Sequence, residues 1–162
     1  ELIIGFDIAG PELNYLPSMY RDSFLKVKTE GINITIHAGE GDGVHSIQEA
    51  LDNGAKRIGH GVRIIEDISD DNELGPTADH ILQNNIPLEV CITSNLHTNM
   101  YKNPQDHPIS RLHNLGFNIS LNTDNRLMSN TSIDNELNVA KEAGIEDPTS
   151  LLKYSASDSF LN

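Results

Sequence analysis

The feature that most constrains the fold is a repeated alternation of strand-like and helix-like segments. Short segments rich in Ile, Val and Leu recur about every 25–35 residues, the spacing of βα units. The five predicted strands are Leu2–Asp7, Ile32–His37, Arg57–His60, Leu88–Ile92 and Asn118–Asp124. Apolar runs of this length are typical of strands buried on both faces of a parallel sheet.

Segments with helical periodicity lie between the predicted strands. Tyr20, Phe24 and Val27 follow an i, i+4, i+7 spacing, and Gly31 marks the end of that helix. Three later stripes end in the same way, at Gly54, Gly116 and Gly144. The alternation predicts an α/β fold on a parallel sheet, either a (β/α)8 barrel or a doubly wound sheet. A complete barrel needs eight units and about 250 residues, so a barrel made by this chain would lack some of them.

The net charge, the apolar runs and the single cysteine limit which partners and which cellular compartment we expect for this chain. The 162 residues carry 24 acidic and 11 basic side chains, a formal net charge of −13. Such a chain repels phosphate groups, so we expect neither nucleic acid nor an anionic membrane as a partner. No apolar run approaches the roughly 18 residues of a membrane span. The single cysteine, Cys91, fits a reducing compartment, so we expect a soluble cytoplasmic protein.

Ionisable residues close several of the predicted strands. Asp7, His37, His60 and Asp124 each stand at a strand end, and Glu40 follows three residues after His37. Barrels of βα units build their active sites at this end of the sheet. Imidazole and carboxylate groups bind zinc and transfer protons. A single histidine at a strand end is usually structural, but the repetition at successive strands favours a functional site.

The other histidines are predicted to have ordinary structural roles. His45, His80 and His113 lie in helical segments, whereas His97 and His107 lie in predicted loops. We expect all five to be solvated or to cap helices, because most histidines outside a clustered site are of this kind.

The motifs around the strand ends resemble those of the adenosine/AMP deaminase branch of the metal-dependent amidohydrolases. The main ones are His37-Ala-Gly-Glu40, Arg57-Ile-Gly-His60-Gly61, Leu88-Glu-Val-Cys91 and Ser120-Leu-Asn-Thr-Asp124. Three further motifs are closer to bacterial adenosine deaminases than to AMP deaminases: Asp7-Ile-Ala-Gly10, Thr93-Ser-Asn95 and Asn125-Arg-Leu-Met-Ser129. They occur in order across essentially the whole chain.

The resemblance implies a (β/α)8 TIM barrel with one zinc ion per complete active site. His37 and Asp124 match the family's zinc ligands, and Glu40 matches the residue that donates a proton to the purine ring. His60 matches the histidine that faces the metal-bound water without binding the metal. Catalytic roles are therefore expected for Glu40, His60 and Asp124.

The resemblance also implies residues that bind the substrate. Gly10 matches a glycine whose backbone N–H contacts the purine, and Asp7 belongs to the same motif. Asn125 stands where many family members have a second Asp that contacts purine N7. Because N7 is an acceptor, an amide can donate to it without any change in protonation.

The implied reaction adds water to C6 of adenosine and releases inosine and ammonia. Zinc lowers the pKa of its bound water from 15.7 to about 7. Protonation of the ring by Glu40 would make C6 electrophilic, which requires a carboxyl group that stays protonated near neutral pH. His60 and Asp124 would orient the attacking oxygen. Other substrates remain open, namely adenine, AMP or a thio-substituted adenosine.

One departure from the family affects the whole chain. The His-x-His pair that supplies two more zinc ligands on the first strand does not occur in this sequence. Two ligands are fewer than a catalytic zinc site normally has. We therefore expect residues 1–162 to be the C-terminal portion of one deaminase barrel domain, strands 4 to 8, and to be inactive alone.

A barrel fragment of this kind would have two unpaired sheet edges, at Leu2–Asp7 and Asn118–Asp124. We expect it to bind the N-terminal half of the barrel or to self-associate through these edges. A non-catalytic, self-associating half-barrel is thus the alternative to an enzyme. Four apolar side chains are expected to line the barrel interior: Ile34, Ile36, Ile58 and Val90.

Overall fold

The computed structural model describes residues 3–152 and 159–160. It contains one sheet of five parallel strands, in the order β1-β2-β3-β4-β5. The strands are β1 Gly5–Ile8, β2 Asn33–Ala38, β3 Arg57–His60, β4 Leu88–Val90 and β5 Ile119–Leu121. Neighbours in sequence are neighbours in the sheet, as in a barrel, whereas a doubly wound sheet reverses its strand order at a switch point. The sheet is therefore the predicted five-unit part of a (β/α)8 barrel.

Helices follow the strands and cover one face of the sheet. They are α1 Arg21–Thr29, α2 Val44–Asp52, α3 Pro76–Gln83, α4 Ile92–His97, α5 Ile109–Asn114, α6 Arg126–Ser129 and α7 Ile133–Glu142. Short 3₁₀ segments lie at Pro17–Tyr20, Val62–Asp67 and Pro104–Asp106. Within residues 3–152 and 159–160, no helix has both the length and the apolar character needed to cross a bilayer. Gly31 and Gly54 end α1 and α2 with positive φ values of 71° and 92°, as predicted.

The strand bounds differ from the predicted ones mainly at the carboxyl ends. The fourth strand ends at Val90, because the chain turns at Cys91 and Ile92 begins α4. His97 accordingly ends a helix and does not lie in a loop. In the first predicted strand, pairing begins at Gly5, and Leu2 lies outside the described residues. The fifth strand ends at Leu121, so Asp124 stands on the loop that follows it.

The prediction that Ile34, Ile36, Ile58 and Val90 line the barrel interior is wrong. These side chains are at most 1% exposed and belong to the core between the sheet and its helices. Because side chains alternate along a strand, the other face receives the polar residues between them. The strand register places Asp7, Thr35 and Arg57 opposite one another there.

The inward face is therefore charged and polar. Arg57 Nε lies 3.0 Å from Glu89 Oε1 and donates a hydrogen bond of 3.1 Å to Thr35 Oγ1. The ring of Phe160 covers the Arg57 guanidinium, with 4.4 Å between Arg57 Cζ and the centroid of the ring. A Cβ atom at Gly5 would lie 2.9 Å from the same ring, so the small residue at the start of β1 leaves room for it.

Candidate active site

The loop after β2 carries two of the predicted site residues, His37 and Glu40. Between them, Gly39 adopts a φ of 74°, and a Cβ atom there would lie 2.5 Å from Ile47 Cδ1. Only glycine fits this turn, because the turn packs directly against Ile47 of α2. The turn brings Glu40 back beside His37, with 3.3 Å between Glu40 Oε2 and His37 Nε2.

A buried carboxylate from another loop holds this turn in place. Glu12 Oε1 accepts hydrogen bonds from the backbone N–H groups of Glu40 and Gly41, at 2.8 and 3.1 Å. Glu12 Oε2 accepts from the N–H groups of Gly39 and Asp42, at 2.8 and 3.0 Å, and also from the Ser46 hydroxyl. Burial would raise the pKa of Glu12, but hydrogen bonds from His37 and these N–H groups lower it to about 2. Sequence reasoning missed Glu12, because no local spacing links it to a turn 27 residues away.

Glu12 also contacts His37, with 3.1 Å between Glu12 Oε1 and His37 Nε2. Burial alone would lower the pKa of His37. Hydrogen bonds with Glu12 and Glu40 outweigh that effect and raise the pKa to about 9. In this arrangement His37 is a cation held between two carboxylates.

The surroundings of Glu40 differ from those expected of a protonated acid. Burial would raise its pKa, but the hydrogen bond with His37 and the charges of His60 and His37 produce a net lowering. In this arrangement Glu40 does not have the dry, apolar surroundings that would keep its carboxyl protonated near neutral pH. The cause is the His37 ring, which stabilises the ionised carboxylate.

His60 and Asp124 complete the group. His60 Nδ1 lies 3.6 Å from Glu40 Oε1, and His60 Nε2 lies 4.0 Å from Asp124 Oδ2. The rings of His37 and His60 are 4.5 Å apart between centroids. Burial is the main cause that lowers the pKa of His60. Asp124 accepts a hydrogen bond of 2.7 Å from the Ser94 hydroxyl.

Both His60 and Asp124 have left-handed backbone conformations, with φ values of 62° and 54°. Such values are uncommon for residues other than glycine. His60 is the last residue of β3 and Asp124 lies in the loop after β5, so the chain turns sharply at the carboxyl end of the sheet in both cases.

The predicted substrate-binding residues are distributed around this group. Asp7 lines a cavity of about 200 Å³ together with His37, His60 and Asp124. Gly10 lines a neighbouring cavity of about 110 Å³ that also reaches His37. Asn125 is used structurally, because its Oδ1 accepts a hydrogen bond of 3.1 Å from Met128 N–H and caps α6.

Among the histidines predicted to be solvated or capping, His107 has a different environment. It is 3% exposed, and its Nε2 lies 3.2 Å from Asn95 Oδ1. The Asn95 amide in turn donates to Glu40 Oε1 at 2.9 Å. Its Nδ1 accepts a hydrogen bond from Ile109 N–H at the start of α5, but the N-cap residue of that helix is Pro108, and the ring is not solvated. The sequence signal nearest to this contact is the Thr93-Ser-Asn95 motif, which places Asn95 at the site but does not point to His107.

The donor set is chemically suitable for a metal ion. His37, Glu40 and His60 each offer one ligand atom, and these three atoms lie within 4.8 Å of one another. Imidazole nitrogen and carboxylate oxygen are ligands that zinc prefers.

Comparison with known proteins gives consistent matches along the chain. The family model described as "Adenosine deaminase" matches residues 1–159. Adenosine deaminase 1 of Streptomyces coelicolor is 46% identical over 146 residues, which cover 87% of this chain and 37% of that protein. This chain thus spans well under half the length of the curated relatives that it matches.

Solved structures with the same fold are also deaminases or amidohydrolases. An adenine deaminase from Arthrobacter aurescens superposes with a TM-score of 0.86 at 26% identity, covering 99% of this chain and 48% of the other. An amidohydrolase from Burkholderia ambifaria with bound zinc has a TM-score of 0.83 at 18% identity, covering 96% of this chain and 43% of the other. At that identity, the second comparison supports the fold alone.

Proposed function

This chain belongs to the adenosine deaminase family, and we propose that it supplies the proton-transfer half of an active site that hydrolyses adenosine to inosine and ammonia. The proposal takes residues 1–162 as the C-terminal portion of one barrel domain. The observation that carries it is the convergence of His37, Glu40, His60 and Asp124 at the carboxyl end of one parallel sheet.

Zinc is the proposed cofactor, with one ion in each complete site. His37 and Asp124 would be its ligands in this chain. A bound zinc ion supplies a nucleophilic hydroxide near neutral pH, since it lowers the pKa of bound water. Both ligands must be deprotonated to bind, so metal binding would displace the proton that Glu12 and Glu40 hold on His37.

The chain's own residues account for the proton transfers. Glu40 would carry its proton on Oε2 to the purine ring nitrogen, because Oε1 already accepts a hydrogen bond from Asn95. For Glu40 to hold that proton, its contact with a cationic His37 must first be lost. His60 Nε2 would donate a hydrogen bond that orients the attacking oxygen, and Asp124 Oδ2, 4.0 Å from it, would accept the proton of that oxygen and pass it to the leaving ammonia.

Deamination of a different purine is the second candidate. The Arthrobacter aurescens neighbour is an adenine deaminase, and the site residues described here would serve either reaction. Because this chain spans less than half of its relatives, contacts that choose between base, nucleoside and nucleotide can lie outside it.

The direct test is ammonia release by the complete protein. We expect turnover with adenosine to exceed turnover with adenine or AMP, and chelation of zinc to abolish it. Preference for adenine or AMP would favour the second candidate. No ammonia from any purine, in zinc-loaded protein, would contradict the proposed function.

The chain alone is expected to bind zinc weakly, because only His37 and Asp124 match the ligand pattern. Isothermal titration with zinc measures this, and His37→Gln should remove most of the binding. His45→Gln is the matched control, since His45 is exposed on α2. Tight stoichiometric binding that is lost in Glu40→Gln would instead assign the ion to His37, Glu40 and His60.

The partner surface is proposed to be the open sheet edge. Within the described residues, β1 pairs only with β2, and β5 only with β4. Exposed apolar side chains flank β1, among them Ile3, Ile4 and Leu13. The N-terminal half of the barrel would cover this surface, and in its absence a second copy would do so.

The isolated chain is therefore expected to form dimers or larger species in sedimentation velocity. Ile4→Lys should shift the distribution toward monomer, because lysine beside an edge strand opposes pairing. Leu25→Lys, on the exposed side of α1, is the control and should have little effect. A stable wild-type monomer that unfolds cooperatively would exclude this surface as a binding edge.

A further inference from the structure

A buried chain of hydrogen bonds runs from the start of α5 to the candidate catalytic residues. Ile109 N–H donates to His107 Nδ1 at 3.1 Å, and His107 Nε2 lies 3.2 Å from Asn95 Oδ1. Asn95 Nδ2 lies 2.9 Å from Glu40 Oε1 and 3.1 Å from His60 Nδ1. Asn95 is 0% exposed and His107 is 3% exposed, so water does not compete for these bonds.

The direction of each hydrogen bond in this chain is determined. A backbone N–H can only donate, so His107 Nδ1 must be an unprotonated acceptor. Burial lowers the pKa of His107 to about 3, which keeps the ring neutral. Its one proton is therefore on Nε2, and that proton is donated to Asn95 Oδ1.

The orientation of the Asn95 amide follows from that bond. With its oxygen facing His107, the amide directs its NH₂ group toward Glu40 and His60. The two NH₂ protons then face Glu40 Oε1 and His60 Nδ1, at 2.9 and 3.1 Å, with the weaker acceptor Met100 Sδ farther away at 3.7 Å. An amide turned by 180° would place its oxygen against the Glu40 carboxylate, which disfavours that arrangement.

We propose that His107 is a positioning residue, which fixes the Asn95 amide so that the amide holds Glu40 and keeps the proton of neutral His60 on Nε2. Because Nδ1 of His60 accepts from Asn95, the His60 ring presents Nε2–H toward Asp124, 4.0 Å away. Glu40 Oε1 is occupied by the Asn95 amide, which leaves Oε2, the oxygen that faces His37 Nε2 at 3.3 Å, to carry a transferable proton once that contact is lost. This inference rests on the proposed function for its kinetic consequences, but the hydrogen-bond directions do not depend on it.

The first test reads the tautomers directly, without any activity. In ¹⁵N-histidine spectra of the complete protein, we expect wild-type His107 and His60 both as Nε2–H tautomers. His107→Leu should convert His60 to a mixture of tautomers. His107→Gln should preserve the single form, because its amide nitrogen can replace the Nε2–H donor.

An Nδ1–H tautomer at either wild-type histidine, or an unchanged His60 in His107→Leu, would overturn the proposal. The wild-type spectrum decides the question even if His107→Leu does not fold.

The second test is kinetic. Residues that orient a metal ligand typically contribute about 10–100-fold to activity, and we expect a similar contribution from a residue that orients a catalytic group. We expect His107→Leu to lower kcat within that range while KM changes little, and His107→Gln to recover most of the loss. His97→Leu, at the exposed end of α4, is the control.

An inactive wild-type enzyme would contradict the proposed function, while the tautomer spectra would still decide the role of His107. Equal loss in kcat for the Leu and Gln variants would overturn the positioning role.

Discussion

Glu40→Gln in the complete protein is expected to lower kcat by about 10²–10⁴-fold, the usual contribution of a general acid. Glutamine keeps the shape of the side chain and can still accept the Asn95 hydrogen bond at its oxygen. It has no acidic proton to give to the ring nitrogen. Substrate binding and zinc content should therefore change little, so the loss appears in kcat and not in KM.

Steady-state kinetics and metal analysis of the same preparations test this expectation. Glu66→Gln is the matched control, because Glu66 is a nearby carboxylate that is exposed and paired with Arg63. A Glu40→Gln enzyme that keeps more than about a third of wild-type kcat would remove Glu40 from its role as the acid. A loss of zinc in this variant would make Glu40 a ligand instead.

Glu12→Gln is expected to destabilise the chain by about 3 kcal/mol at neutral pH. Each oxygen of Glu12 accepts two backbone N–H groups, so an amide NH₂ in place of one oxygen would face two other donors. Buried donors without acceptors and a broken buried ion pair each cost a few kcal/mol. The lowered pKa of Glu12 gives the same order of magnitude, since one pKa unit corresponds to about 1.4 kcal/mol.

The pH dependence of this effect has a definite sign. Glu12 has a folded-state pKa of about 2, below the ordinary value of 4.5. Its contribution is therefore complete above about pH 4.5 and disappears as the pH falls toward 2. The difference in unfolding free energy between wild type and Glu12→Gln should shrink over the same interval.

Urea unfolding at several pH values measures that difference, and hydrogen exchange locates it. In Glu12→Gln, the amide protons of residues 39–42 should exchange faster than in wild type. Glu49→Gln is the control, because Glu49 accepts one hydrogen bond from an exposed backbone N–H at Ser18. Equal stability of wild type and Glu12→Gln at pH 7 would show that the turn does not depend on the carboxylate.

Local sequence patterns were sufficient to predict the order of strands and helices. Apolar runs such as the one around Ile34 and Ile36, and glycines such as Gly31, depend on backbone preferences within a few residues. The proximity of His37, Glu40, His60 and Asp124 was also predicted, because each stands in a short motif at or just after a strand end. The sequential strand order then brings those ends together.

Features that depend on distant packing were not predicted. Ile34 and Ile58 were expected inside the barrel. Side chains alternate along each strand, and the structure packs the apolar ones against the helices. Asp7 and Arg57 therefore face the inside of the sheet. Glu12 binds a turn that is distant in sequence. His107 looked like an ordinary loop histidine, because its burial depends on α5 packing beside Asn95.

The left-handed backbone at His60 and Asp124 has a consequence for the substitutions that these positions tolerate. A residue with a Cβ atom in that conformation costs about 1 kcal/mol relative to glycine. Two of the four candidate site residues thus occupy positions where glycine would relieve backbone strain. Glycine would also remove a contact at each position, because His60 is buried against Asn95 and Asp124 accepts a hydrogen bond from Ser94. Neither strained turn can therefore relax to glycine without loosening the residues packed around it, so backbone strain and side-chain contacts are coupled at both corners of the site.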